Sequence, residues 1–178
     1  MARPALAFVS EREFLELPES VDKIELIDGE VIVPPSPSFY HQEVVGRLAF
    51  ALRGWATQQT RPVVVGQAPM DIRFAPGRIL QPDLFVLFAH VPLDHEGPLD
   101  RVPELCIEVL SARPNYDRFT KRLIYAEAGV REFWTIEPGY HLERWTGSGL
   151  HELTKLESTV ESALLPGFTV ELSSLFGD

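Results

Sequence analysis

Two carboxylates stand where the surrounding pattern leaves little room for charge. Asp83 follows Pro82 inside the apolar run from Ile79 to Phe88, and Glu108 interrupts Leu105-Cys-Ile-Glu-Val-Leu110. A carboxylate in a core strand is costly unless something pairs with it. Two of them side by side each raise the other's pKa, so that one tends to keep its proton. A divalent cation between them removes that conflict, and hard oxygen ligands suit Mg²⁺ or Mn²⁺. The competing reading puts both at strand ends, paired with arginines. Their placement in successive apolar strands favours the metal.

Other chemistries find less support. The single cysteine, Cys106, lies in an apolar strand and reads as core. No serine–histidine–acid arrangement and no phosphate-cradling glycine loop is present. A zinc cluster would have to rest on five scattered histidines.

The elements that must position the two carboxylates follow from pattern. Ser10-Glu-Arg-Glu13 is a capping box opening a short helix through about Leu17, ended by Pro18. Lys23 to Ile27 and Glu30 to Val33 flank Asp28-Gly29, a hairpin signal. That pairing puts Ile24, Leu26, Val31 and Val33 on one face and Glu25 on the other, opposite Ile32. A helical period runs from about Ser38 to Gln59, with Val45, Leu48, Leu52 and Trp55 on one face. Strands are expected at Val63 to Val65, Met70 to Phe74, Ile79 to Phe88 and Leu105 to Leu110. A helix from about Asn115 to Ala128 ends at Gly129, a C-terminal cap. Arg131 to Ile136 and Tyr140 to Trp145 form a second hairpin turned at Pro138-Gly139, and the tail to Asp178 adds a strand or two. The cluster Phe133, Trp134 and Trp145 reads as core in preference to a dimer contact. Residues 1–178 thus fit one α/β (α+β) domain with a mixed sheet and few helices.

These residues also resemble a known family. Glu25-Leu-Ile-Asp-Gly-Glu30, His41-Gln42, Gln81-Pro-Asp83, Glu108-Val-Leu-Ser111, Asp117 to Lys121 to Tyr125 and Gly129-Val-Arg-Glu-Phe-Trp134 occur in its order. The set is similar to the Uma-two (Uma2) family of restriction-endonuclease-like proteins, in the PD-(D/E)XK nuclease superfamily. The likeness runs from about Ser10 to Phe176. It implies a four- or five-stranded mixed sheet flanked by helices, with a metal-dependent phosphodiesterase site at one sheet edge. Asp83 and Glu108 would hold Mg²⁺ or Mn²⁺ with the main-chain carbonyl of Val109, and Glu25 would be a further ligand or water-orienting group. The superfamily lysine would stand two residues after the glutamate, where this chain has Leu110; the resemblance offers Lys121 as its relocated equivalent. Such a lysine stabilises developing negative charge or positions the water.

The residues themselves give Lys121 a plainer alternative. It stands four after Asp117, the spacing of a surface pair. A helical wheel sets it on the polar side with Arg118 and Arg122, away from Phe119 and Leu123. His41 would face solvent or cap its helix, with a supporting site role implied by the resemblance alone. Gln42 and Gln81 could orient water or substrate. Tyr125 reads as a packing residue with a wet hydroxyl, extending the Asp117–Lys121 stripe. Ser111 reads as a cap for the following helix.

Charge narrows the partners. The net charge of −10 argues against broad polyanion binding. Residues 43–80, however, hold five basic and two acidic side chains, and residues 113–131 repeat that balance. That leaves room for a local phosphate-contacting surface and none for a general polyanion binder. No apolar run approaches the ~20 residues that span a bilayer. With one cysteine and no signal-peptide pattern, a cytoplasmic location is expected. The expectation is a metal-dependent endonuclease acting on nucleic acid, DNA first, as a homodimer. The alternative is a non-catalytic binding or assembly module that keeps the fold, favoured by Leu110 and by the acidic charge.

Overall fold

The computed structural model describes residues 8–18, 23–110, 116–137 and 139–177, without the side chains of Tyr116 and Asp117. The proposed Ser111 cap, the Asp117–Lys121 pair, the helix start at Asn115 and Pro138 of the second hairpin turn lie outside that description.

Local signals set the first elements. Ser10 and Glu13 form the capping box of α1 (Glu11–Leu15), each side chain accepting from the other's backbone N–H. Asp28 and Gly29 both take positive φ, 50° and 91°, as a two-residue hairpin turn of the mirror-image type requires. The turn joins β1 (Glu25–Ile27) to β2 (Glu30–Ile32), with Leu26 opposite Val31 and Glu25 opposite Ile32. Leu26 is buried with Phe14 and Ile79 in a small core of its own. The hairpin continues through β5 (Arg78–Leu80) to β4 (Ile72–Ala75), giving a four-stranded antiparallel sheet ordered β2-β1-β5-β4.

The run from Ile79 to Phe88 is not one strand. It divides at Gln81-Pro82-Asp83 into β5, in the first sheet, and β6 (Leu84–Leu87), in a second. Proline has no N–H to give a ladder and marks where pairing must stop. Asp83 therefore sits at the junction of two sheets.

The second sheet has six strands ordered β10-β9-β8-β7-β6-β3. These are β3 (Val64–Gln67), β6, β7 (Leu105–Val109), β8 (Glu132–Glu137), β9 (His141–Thr146) and β10 (Glu152–Leu156). All neighbours run antiparallel except β7 and β8. A parallel pair needs a crossover. Here it includes a π-helical turn, Tyr116–Lys121, leading into α3 (Arg122–Ala128). Gly129 ends α3 at φ 90°, a conformation glycine adopts without penalty.

The expected mixed sheet flanked by helices is present, but with more strands than four or five. The carboxylates also lie at the ends of interior strands, not at a sheet edge, because β3 covers β6 and the C-terminal strands β9 and β10 extend the other side.

One face of the large sheet buries Leu105, Ile107, Val109, Trp134 and Ile136 against Val44, Val45, Leu48 and Leu52 of α2 (Phe39–Ala56). The opposite face carries Cys106, Phe133 and Trp145 against Ile124 and Tyr125. The three hairpin aromatics are thus all core, on alternate faces as a period of two demands. A two-stranded sheet of β11 (Thr159–Glu161) and β12 (Thr169–Glu171) leads to α4 (Leu172–Phe176), whose Leu172 and Leu175 close the α2 side.

Candidate active site

Strand register brings the two carboxylates together. Leu84 pairs with Ile107, so Asp83, one residue earlier, falls beside Glu108. The Val109 N–H donates to Asp83 Oδ2 at 2.9 Å and ties the pair to the end of β7. Glu25 joins them from the first sheet. Its Oε1 accepts the backbone N–H of Gln81 at 3.0 Å, so the bend that splits β5 from β6 also positions Glu25. All three carboxylates are buried.

Two lysines are interleaved with them. Lys121 Nζ lies 3.0 Å from both Glu25 Oε1 and Glu108 Oε1. Lys23 Nζ lies 3.0 Å from Asp83 Oδ1, 3.6 Å from Glu108 Oε2 and 3.9 Å from Glu25 Oε1. His41 Nε2 stands 3.5 Å from Asp83 Oδ2. Burial pushes the Asp83 carboxyl up, but Lys23, His41, Lys121 and the Val109 N–H outweigh it and hold the group below the usual aspartate value. The expected mutual elevation of two adjacent carboxylates is not the outcome at Asp83, because each carboxylate has ammonium neighbours. Burial depresses Lys23, yet Glu108, Asp83 and Glu25 win over it and over the repulsion of Lys121, so its pKa rises.

Lys121 corrects the reading drawn from the helical wheel. It is 1% exposed, whereas Phe119 and Leu123 are 50% and 55% exposed. The wheel's grouping holds, with Arg118, Lys121 and Tyr125 on one side and Phe119 and Leu123 on the other; what fails is the expectation that the apolar side is the buried one. The side of Arg118 and Lys121 faces the sheet, where buried carboxylates receive both. Arg118 Nε meets Glu143 Oε2 at 2.8 Å, and Glu143 accepts from Thr135 at 3.0 Å. Glu108, Thr135 and Glu143 are register partners across β7, β8 and β9, so a polar row runs from the site across the sheet.

The supporting residues divide. Tyr125 is fully buried and its hydroxyl donates to Glu108 Oε1 at 2.6 Å, so the hydroxyl is dry and not wet as expected. Burial, followed by the Glu108 charge, pushes its pKa well above the usual phenol value, which keeps it a donor. His41 faces the site instead of solvent, while the Ser38 hydroxyl caps its helix by accepting the His41 N–H at 3.1 Å. Gln81 contributes its backbone only, because its side chain donates to Asp71 at 2.8 Å; the water-orienting role does not suit it. Gln42 is exposed at the rim of the cavity. Leu110 is core, and Lys121 brings an ammonium to Glu108 from the helix instead.

Lys23 is the residue that pattern reading passed over. Its signal was available, since side chains alternate along an extended chain and Lys23 shares the face of Glu25.

Lys23, His41, Asp83, Glu108 and Lys121 line one cavity of about 190 Å³, walled by Pro34 to Pro37 and by Ala68 and Pro69. Among the described residues no three His, Cys, Asp or Glu side chains converge as a ready metal cage. Two carboxylates beside a cavity remain compatible with Mg²⁺, which usually takes one or two carboxylates and completes its shell with water and phosphate. An ammonium, that of Lys23, already stands between those two carboxylates.

The Uma2 family model, described as "Putative restriction endonuclease", matches residues 12–173. The chain belongs to the Uma2 family. Its fold agrees with a solved structure titled as "a putative nuclease belonging to DUF820 from Anabaena variabilis ATCC 29413". That likeness has a TM-score of 0.77 at 20% identity, over 94% of this chain and 97% of the other. No curated protein matches the chain. The family description supports a nuclease, and the structural likeness supports the restriction-endonuclease-like fold. No helix among the described residues of this Uma2 chain is long and apolar enough to cross a membrane.

Proposed function

We propose that this Uma2 chain is a metal-dependent endonuclease that hydrolyses phosphodiester bonds in nucleic acid, with DNA as the expected substrate. The observation that carries the reading is the convergence of Asp83 and Glu108 at a cavity, with Lys121 held against Glu108. Asp83, Glu108 and the Val109 carbonyl would hold Mg²⁺ or Mn²⁺. When bound, the ion supplies positive charge to the phosphate and lowers the pKa of an attacking water.

The protein's own part is positional. Tyr125 and Lys121 both engage Glu108 Oε1, and Lys23, which lines the cavity, approaches Oε2. Glu25 holds Lys121 from the other side, and so acts on the site by orienting that ammonium. Lys121 in turn is a fixed charge near the place where negative charge would develop. His41 braces Asp83. A homodimer would present two such sites to two strands and belongs to the same proposal.

Cleavage of single- and double-stranded DNA in Mg²⁺ or Mn²⁺, with and without chelator, tests it. Cleavage that chelator stops, and that Asp83→Asn, Glu108→Gln and Lys121→Met each reduce by about 10²-fold or more, is expected. Cleavage indifferent to chelator or to all three substitutions would overturn it. The second reading, a binding module without chemistry, draws on Lys23 and Lys121 already neutralising the carboxylates. It predicts folded protein that binds nucleic acid and cleaves none of it.

A further inference from the structure

We infer that Lys23 is a resident counter-cation, whose ammonium occupies the position between Asp83 and Glu108 that a divalent ion would take and which must withdraw for the ion to enter. The inference rests on the metal-dependent reading above and adds to it a residue that sets metal affinity.

The two lysines of the site are not equivalent. Lys121 is 1% exposed and meets two carboxylate oxygens at 3.0 Å each. It stands where the π-helical turn meets α3, with its side chain buried against the sheet. Lys23 has a side chain 19% exposed and makes one contact at 3.0 Å and two longer ones at 3.6 and 3.9 Å. It precedes β1 and lines the cavity, so it stands on the side from which an ion would arrive. Lys23 is therefore the cation that can leave, and Lys121 the one that stays.

Charge balance points the same way. Leaving His41 aside, two lysines face three carboxylates among the described residues, in a mostly desolvated space. A divalent ion added beside both lysines would overshoot the negative charge and lie against the Lys23 ammonium. An ion exchanged for that ammonium leaves these named charges matched. Uncompensated charge in such a space is strongly disfavoured, so exchange is the favoured route.

The test compares Mn²⁺ binding by calorimetry in wild type, Lys23→Met and Lys23→Arg. Lys23→Met keeps the stem length and removes the competitor. It should bind Mn²⁺ about ten-fold or more tightly than wild type, as expected when a competing partly buried ion pair is removed. Lys23→Arg should stay near wild type or weaker. A thermal melt gives a second readout. Metal-free Lys23→Met should melt below wild type, and saturating Mn²⁺ should raise its midpoint by more than it raises that of wild type. Mn²⁺ binding by wild type with equal or weaker binding by folded Lys23→Met would overturn this inference alone. Absence of Mn²⁺ binding in both would overturn it together with the metal-dependent reading.

Discussion

Glu108 and Glu132 are both buried glutamates, on the neighbouring parallel strands β7 and β8, and the protein treats them in opposite ways. Glu132 pairs in register with Leu105, at the far end of β7 from Glu108, and its side chain lies on the other face of the sheet. It accepts the Trp134 indole N–H at 2.6 Å and the Ser162 hydroxyl at 2.8 Å. Ser162 also caps the N–H of Leu164, so the arrangement stitches the C-terminal segment to β8. Neutral donors complete Glu132 as a structural joint. Glu108 instead meets two ammonium groups, a buried phenol and a second carboxylate at the wall of a cavity. A buried carboxylate alone, then, does not mark chemistry. Cationic partners around several carboxylates, together with access to a ligand-sized space, are what separate the two glutamates.

The sharpest way to break that contrast is to remove the buried cation. Lys121→Met leaves Glu25 and Glu108 facing one another without it, and should cost about 3–5 kcal/mol, the range for taking one partner from a buried ion pair. Urea denaturation reads the loss directly. A cost under about 1 kcal/mol would mean that the carboxylates are well solvated in place, and the contrast with Glu132 would fail. Glu132→Gln should cost less, about 1–3 kcal/mol, since the amide can accept from the indole or the hydroxyl but places an NH₂ against the other donor. It should leave DNA cleavage and Mn²⁺ binding at the wild-type level. A loss of either would extend the site across the sheet.

Much of this arrangement was legible in the sequence, and the parts that were not share a cause. The Asp28-Gly29 turn, the Ser10–Glu13 cap and the Gly129 stop are local signals, each set within a few residues, and each stands where the pattern put it. Asp83 and Glu108 stood out because charge in an apolar strand is conspicuous without any partner being known. The partners were not legible. That Pro82 divides one run between two sheets depends on β1 and β7, which are distant in sequence. The orientation of Lys121 depends on Glu25 and Glu108, distant in sequence, which receive the charged side of the helix and leave Phe119 and Leu123 outside. Tyr125 follows Lys121 by four residues, so it shares that side of the helix and its hydroxyl reaches Glu108. Gln81 turns to Asp71, a neighbour that only the β4–β5 hairpin supplies. Lys23 was recoverable from alternation with Glu25, but a lysine beside a hairpin reads first as solvated surface.

The central claim is that the Glu108 end of the sheet is a metal site and the Glu132 end is not. Calorimetry with Mn²⁺ and Mg²⁺ on wild type, Asp83→Asn, Glu108→Gln and Glu132→Gln tests it without any guess about substrate. Saturable binding in wild type and Glu132→Gln, lost in both Asp83→Asn and Glu108→Gln, is the predicted result. No binding by folded wild type at millimolar metal, or binding that survives in Asp83→Asn and Glu108→Gln, would contradict it.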